Sequence, residues 1–405
     1  MRPAAVAAVS LASAVVGAIA VLLVGASAGW VGDSSTETVV APRPVPALAP
    51  EQEDGEPAAV RSSARPLPGN GFDPALLYAA RSPGVVTVHA SFGNQEAQGS
   101  GFVASTAGHI LTNSHVITDA GEVAKASQAR AAREVFVEFK DGERVPATVV
   151  GWDIFDDVGL LKVDPAAHAL APVPLGDSSR VVVGEPVAAI GSPFGEVGSL
   201  AVGVVSATRR SISALTSDYL LVDAIQTDAP INRGNSGGPL FDARGRVIGI
   251  NAQIRSNSGT AEGVGFAVPI NSAKRSMAQL IESGRVSYAY VGISTDDLTP
   301  GLARKLGLRV TRGALIVRVD RGPGRAAGLR AGSRAIEVNG REFRTGGDVV
   351  LAIDGEPVRS GDDLVRIVAG RLSPGQVVTF AILRGSARLN VPVRLGERPA
   401  DSPAG

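Results

Sequence analysis

Apolar and polar positions divide the 405-residue chain into distinct regimes. Residues 3–32 carry no charged side chain and follow Arg2, a run long enough to cross a bilayer as a helix with its amino end inside. That length points to a membrane anchor. A cleaved signal peptide is the alternative, because Ala26-Ser27-Ala28 resembles a small-residue cleavage site. Residues 33–70 hold Pro, Ser, Ala and acidic side chains with hardly any large apolar residue, the composition of a disordered tether. From about residue 72 to 272, short Val- and Ile-rich runs alternate with Gly, Pro and Asp turns, as in Val135–Phe139, Val145–Gly151, Val181–Ile190 and Arg246–Ile254. This pattern predicts an all-β unit over residues 71–284, most simply two packed barrels. An Ala-rich, mixed-charge insert, Glu122–Glu134, interrupts it and reads as an exposed helix or loop. Helical spacing returns at Asn271–Ser283, where Met277, Leu280 and Ile281 are apolar, and leads into a second unit over residues 285–398. A disordered tail, 399–405, is expected to follow.

Composition narrows the chemistry. The apolar fraction of 44% is ample for real cores, and the length suggests two or three folded units. Cysteine is absent, so no disulfide framework exists although an exported chain could form one. With 39 basic against 39 acidic residues there is no electrostatic case for nucleic acid. No metal motif or phosphate-binding Gly-Lys loop is present, so neither a metal nor a cofactor is expected.

The run Gly234-Asn235-Ser236-Gly237-Gly238-Pro239-Leu240 holds a serine between glycines after an apolar, turn-rich stretch. Such glycines let main-chain N–H groups converge on a carbonyl oxygen that becomes negative during attack. Alone, the run is as easily a turn; a serine nucleophile also needs a base and a carboxylate to orient it. Of the four histidines, His168 sits in a loop, His109 opens a strand and His89 lies within an alternating strand. Only His115 stands where an apolar strand, Ile110-Leu111, breaks into small polar residues and a base can reach across a cleft. Asp157 borders the apolar run Val158–Val163, a position suited to a desolvated acid, whereas Asp153 and Asp156 read as solvated loop carboxylates. The order His115, Asp157, Ser236 is that of chymotrypsin-type proteases, not of subtilisins or α/β-hydrolases.

Three blocks, Thr112–Ile117, Asp157–Val163 and Gln226–Leu240, together with Ala189–Gly195 and Gly203–Ala207, closely resemble the HtrA/Deg serine proteases. The resemblance covers about Phe72 to Leu395. It departs from the family pattern at Pro230 and Arg233, in the loop that shapes the oxyanion hole. It implies a mainly β fold: a chymotrypsin-like double β-barrel followed by a PDZ domain, with an N-terminal transmembrane helix. It implies that Ser236 attacks a peptide carbonyl, His115 carries the proton, Asp157 orients His115, and the N–H groups of Gly234 and Ser236 bind the oxyanion. Ile231 with the strand holding Ile250 and Asn251 would wall an apolar specificity pocket for small or medium aliphatic residues.

In the second unit, Tyr290-Val291-Gly292-Ile293 resembles the carboxylate-binding loop of a PDZ domain. Gly313–Val317, Ala326–Leu329 and Asp348–Gly355 support that match, and the long stretch Gly332–Gly347 is expected to form an extra hairpin. The implied partners are unfolded or signalling protein substrates, peptide C-termini held by Val291, Gly292 and Ile293, and the membrane through the anchor. A homotrimer through Phe72 and Tyr78 is implied by the same resemblance, ordinary packing of those rings being the alternative. The implied location is the cell membrane with the catalytic unit outside the cytoplasm, or the periplasm after signal cleavage. A noncatalytic adaptor or holdase on a protease scaffold is the rival to an endopeptidase.

Overall fold

The computed structural model describes residues 72–402 except 122, 124, 192–197, 233, 253–263 and 339. The expected anchor and tether lie outside these residues, and among the described residues no helix is long and apolar enough to cross a membrane.

The chain enters through helix α1 (Pro74–Arg81), where Asp73 accepts a hydrogen bond from the N–H of Leu76 at 3.0 Å and Pro74 fills a position that needs no donor. Tyr78 turns its ring onto the core, and its hydroxyl donates to the Gly198 carbonyl at 2.6 Å. The alternating runs then form β1 (Val85–Ser91), β2 (Glu96–Val103), β3 (His109–Thr112), β4 (Glu134–Glu138), β5 (Arg144–Asp153) and β6 (Val158–Val163). They close into a barrel in the order β1-β2-β3-β6-β5-β4. A one-turn helix, α2 (Ser114–Ile117), follows β3.

A second barrel, in the order β10-β11-β12-β9-β8-β7, is built from β7 (Pro186–Gly191), β8 (Ser199–Ser213), β9 (Leu220–Thr227), β10 (Pro239–Asp242), β11 (Val247–Ala252) and β12 (Gly265–Pro269). The strand expected from Val181 begins only at Pro186, because Gly184 turns the chain at φ +90° and donates to the Val205 carbonyl. One apolar cluster, including Phe102, Leu160, Ile190, Phe241 and Ile270, joins the two barrels. It extends into helix α3 (Ile270–Ser283), whose residues Ile270, Ala273, Ser276 and Leu280 are buried on one face; Gly284, left-handed at φ 70°, ends it.

The second unit is framed by β13 (Ala289–Tyr290), which pairs with β22 (Gly396–Glu397), so its two ends are stitched together. Its sheet runs β14 (Ile293–Asp297), β15 (Ala314–Val319), β18 (Val349–Ile353), β20 (Val377–Arg384) and β21 (Ala387–Arg394). The short β19 (Glu356–Pro357) pairs with β18. Helices α4 (Pro300–Lys305), α5 (Pro323–Ala326) and α6 (Gly361–Arg371) pack around it, α6 being capped by the Ser360 hydroxyl. Residues Gly332–Gly347 form the extra hairpin, β16 (Arg334–Val338) with β17 (Arg341–Thr345). Ile336, Val338 and Phe343 of this hairpin pack in a cluster with Leu302 and Leu306.

Within the exposed insert, Ser127 donates to Asp401 through both its N–H, at 3.0 Å, and its hydroxyl, at 2.5 Å, a charged acceptor meeting two donors.

Phe380, fully buried among Ile316, Val350 and Val368, sets the core of the second unit. Phe380→Ala is expected to cost about 3–5 kcal/mol, read as a lower urea midpoint for that unit; an unchanged midpoint would contradict this packing.

Candidate active site

The β3–β6 ladder brings two of the candidate residues together. Ile110 pairs with Leu161, Leu111 with Leu160 and Thr112 with Gly159, so the chain leaving β3 emerges beside the chain entering β6. Gly159 permits this closeness; a Cβ there would lie 2.7 Å from Ile117 and 3.0 Å from the Asn113 carbonyl. Asn113 Nδ2 donates to the Asp157 carbonyl at 2.8 Å. Asp157 itself sits at φ 51°, a left-handed conformation unfavourable for a residue with a Cβ. In return its carboxylate is enclosed by donors. Oδ1 accepts from Ser114 Oγ at 2.8 Å and from the His115 N–H at 3.1 Å, and Oδ2 lies 2.8 Å from His115 Nδ1.

Burial disfavours a charge on His115, but the charge and hydrogen bond of Asp157 outweigh it, and the imidazole pKa is raised above the ordinary 6.5. The other three histidines have structural partners. His89 meets Glu138 at 2.9 Å, His109 meets the Ser105 hydroxyl at 3.0 Å, and His168 stacks on Phe139 with ring centroids 3.8 Å apart. His168, Asp141 and Glu143 each place a ligand atom within 4.8 Å of one another at the surface; the hydrogen bond from His168 to Asp141 accounts for that grouping.

Ser236 arrives on the turn between β9 and β10. Gly234 and Gly237 have φ of 104° and 84°, and a Cβ on Gly237 would lie 2.2 Å from the Ser100 carbonyl, so only glycine fits. Ser100 of the first barrel holds the turn from the other side, its N–H donating to the Ser236 carbonyl at 2.8 Å and its hydroxyl to the Gly234 carbonyl at 2.5 Å. Asn235 folds back within the loop: its Oδ1 accepts from the Asn232 N–H and its Nδ2 donates to the Pro230 carbonyl, both at 3.0 Å. Among the described residues the Ser236 hydroxyl is buried without a hydrogen-bond partner, His115 included. The site therefore holds an oriented imidazole and an unengaged alcohol.

The expected pocket residues are more scattered. Ile231 packs with Ile248 and Ile225, whereas Ile250 belongs to the cluster of Phe266 and Val268. Asn251 is wholly buried and braces the nucleophile turn: its carbonyl accepts from Gly237, its N–H donates to Gly238, and its Nδ2 donates to Pro239.

In the second unit Gly292, at φ 75°, turns the chain into β14, which is the terminal strand of its sheet. The Val291 carbonyl accepts from Gly324 at 2.7 Å, and α6 begins beside the far end of β14, where the Gly361 N–H donates to Asp297 at 2.7 Å. Val291, Gly292 and Ile293 therefore open a sheet edge flanked by a helix.

Sequence reasoning misplaced Asp153 and Asp156. Neither is solvated: both are buried, and the Tyr288 hydroxyl lies within hydrogen-bond distance of Oδ2 of each, at 2.5 Å and 2.9 Å respectively. Their burial depends on Ser276 and Tyr288, more than 120 residues further on, so no local signal could have revealed it.

Residues 99–250 match the family model for a trypsin-like peptidase domain, and residues 289–395 match that for a PDZ domain. A probable periplasmic serine endoprotease, DegP-like, of Pseudomonas fulva is 40% identical over 310 residues, covering 76% of this chain and 58% of the relative. Its counterpart in Bartonella henselae is 37% identical over 303 residues, covering 75% and 54%. The chain thus spans little more than half the length of these relatives. Among solved structures, the HtrA-type protease AlgW with a tripeptide superposes with a TM-score of 0.66 at 35% identity, covering 81% of this chain and 98% of that one. The serine endoprotease from Yersinia pestis superposes with a TM-score of 0.59 at 29% identity, covering 81% and 98%. Two barrels matching a trypsin-like peptidase domain, followed by a PDZ domain, with 35% identity to AlgW over nearly its whole length, place this chain among the HtrA-type serine proteases.

Proposed function

We propose that this chain is a serine endopeptidase of the cell envelope working through an acyl-enzyme. The observation that carries the reading is the Asp157 carboxylate held on His115 Nδ1 at 2.8 Å, together with a buried Ser236 hydroxyl that bonds to no described residue, His115 included. That bond leaves His115 Nε2 as the ring nitrogen that takes a proton. In the proposed cycle the Ser236 hydroxyl attacks the scissile carbonyl as His115 Nε2 accepts its proton. The N–H groups of Gly234 and Ser236 stabilise the oxyanion, and His115 then gives the proton to the leaving amine. Water, activated by the same imidazole, releases the acyl group.

Cleavage after small or medium aliphatic residues follows from the apolar surroundings of Ile231. Capture of peptide C-termini by Val291, Gly292 and Ile293 follows from the glycine turn leading into an edge strand. Misfolded or signalling proteins outside the cytoplasm are the proposed substrates, in keeping with relatives named as periplasmic endoproteases. The uncharged run at residues 3–32 is proposed to anchor the chain. Trimer formation is proposed to use Phe72 and Tyr78, whose rings also pack against the core of their own barrels.

A fluorophosphonate probe is expected to label the wild type and not Ser236→Ala, with casein turnover falling by up to ~10⁶-fold in the variant; labelling that survives the substitution would refute the assignment of Ser236, and no labelling of the wild type would leave the adaptor reading standing. Because only neutral His115 acts as a base, kcat/KM is expected to fall with decreasing pH, with a midpoint above 6.5. The same raised value makes the imidazolium–carboxylate pair stabilising below the unfolded pKa, an effect lost as pH rises through the folded one. Asp157→Asn is expected to lower kcat by ~10⁴-fold and to move that midpoint down; a midpoint that does not move would refute the coupling. Peptides with Val, Ala or Ile before the scissile bond are expected to turn over faster than matched peptides with Arg there, and the reverse ranking would contradict the pocket.

A further inference from the structure

Behind the catalytic aspartate lies a polar cluster that the proposed mechanism does not use. The turn from Asp153 to Asp157 joins β5 to β6 and ends in the left-handed residue that faces His115. Asp153 shapes this turn from within, its Oδ1 accepting from the N–H groups of Phe155 and Asp156 at 2.9 Å and 3.3 Å. Its other oxygen faces outward from the turn and accepts from Ser276 Oγ of α3 at 2.6 Å and from the Tyr288 hydroxyl at 2.5 Å. The same hydroxyl lies 2.9 Å from Asp156 Oδ2, which also meets Arg275 Nη2 at 3.3 Å. Tyr288 belongs to the segment that connects α3 to the PDZ unit. Its ring is fixed edge-on to Phe155, with centroids 5.2 Å apart, and Phe155 in turn meets Tyr219 at 5.5 Å. The Arg398 guanidinium, from the end of the PDZ unit, lies 4.9–5.3 Å from all three rings.

We propose that Tyr288 is a positioning residue for catalysis: by bridging Asp153 and Asp156 it holds the turn in the strained shape that aims the Asp157 carboxylate at His115. A turn ending in a left-handed aspartate relaxes unless its surroundings fix it. The fixing groups are the side chains of Tyr288, Ser276 and Arg275. A phenol has one proton and here faces two carboxylate oxygens; Ser276 Oγ also donates to Asp153 and Arg275 Nη2 to Asp156, so neither carboxylate depends on the phenol alone for a donor. The charged and titratable groups facing the bridge are Asp153 and Asp156 from the turn, Arg275 from α3, Tyr219 from the hairpin of the second barrel and Arg398 from the C-terminal strand.

This inference rests on the endopeptidase reading, and its test separates the two. In the full chain, Tyr288→Phe is expected to lower kcat about 10- to 100-fold, the penalty of a misplaced catalytic group, with KM within about twofold and fluorophosphonate labelling slowed but retained. In the Ser236→Ala background, where no turnover is needed, the His115 imidazole followed by NMR is expected to titrate at lower pH with Tyr288→Phe than without it. Tyr219→Phe, which keeps the aromatic contacts and donates nothing to the turn, is expected to leave both readings unchanged. Asp153→Asn, similar in shape, is the second variant and is expected to reproduce the loss of kcat even if Tyr288→Phe does not fold. Unchanged kcat and an unchanged His115 titration in a folded Tyr288→Phe protein would overturn the proposal, as would full activity in Asp153→Asn. Absence of probe labelling in the wild type would instead overturn the endopeptidase reading itself.

Discussion

The arrangement depends on one buried carboxylate being held in a backbone conformation that its residue type resists. Asp157 is left-handed, and its side chain accepts three hydrogen bonds from Ser114 and His115. Such strain costs of order 1–3 kcal/mol and persists only where neighbouring structure fixes it. Here the β3–β6 ladder delivers the donors from one direction, and the cluster of Asp153, Asp156 and Tyr288 backs the turn from the other. The imidazole is therefore oriented before any substrate arrives, which is the condition for a histidine to work as a base at a fixed point in space.

The loop of the proposed nucleophile, Ser236, obeys a different logic. Its turn belongs to the second barrel, yet Ser100 of the first barrel bonds to the carbonyls of both Gly234 and Ser236. Gly237 admits this approach because any side chain would collide with Ser100, and Gly191 does the same behind Asn235, where a Cβ would lie 2.4 Å from the Asn235 Cα. The glycines thus matter less for flexibility than for letting two barrels touch through their backbones. The Ser236 hydroxyl remains unengaged while the loop around it is already bonded, so the acid–base pair is set more firmly than the alcohol.

The PDZ unit is joined to the protease unit by more than the covalent connection. Arg366 of α6 bonds to Asp223 of β9 at 2.6 Å, Arg275 bonds to the Gly370 carbonyl at 3.2 Å, and Asp401 returns to Ser127. Tyr288 and Arg398 enter the aromatic cluster around Phe155 from opposite ends of the PDZ unit. Of these residues, Arg275 and Tyr288 also bond to Asp156 in the turn preceding Asp157, so the seating of the PDZ unit and the geometry of that turn share those two side chains.

Much of this was legible in the chain. Alternating Val and Ile runs bounded by Gly and Pro marked most strands, since a half-buried strand leaves its period in local sequence. His115, Asp157 and Ser236 were legible because each stands where an apolar run breaks into small polar residues. What local sequence lacked was direction and depth. Asp153 and Asp156 look like solvated loop carboxylates, and only Ser276 and Tyr288, brought back by α3 and the connecting segment, bury them. The sequence by itself determined which segments form strands and which residue types can do the chemistry, because period and composition are properties of neighbours along the chain. Only the tertiary structure decided which acids are buried and which contacts brace them, because desolvation and hydrogen bonding are set by groups a hundred or more residues away.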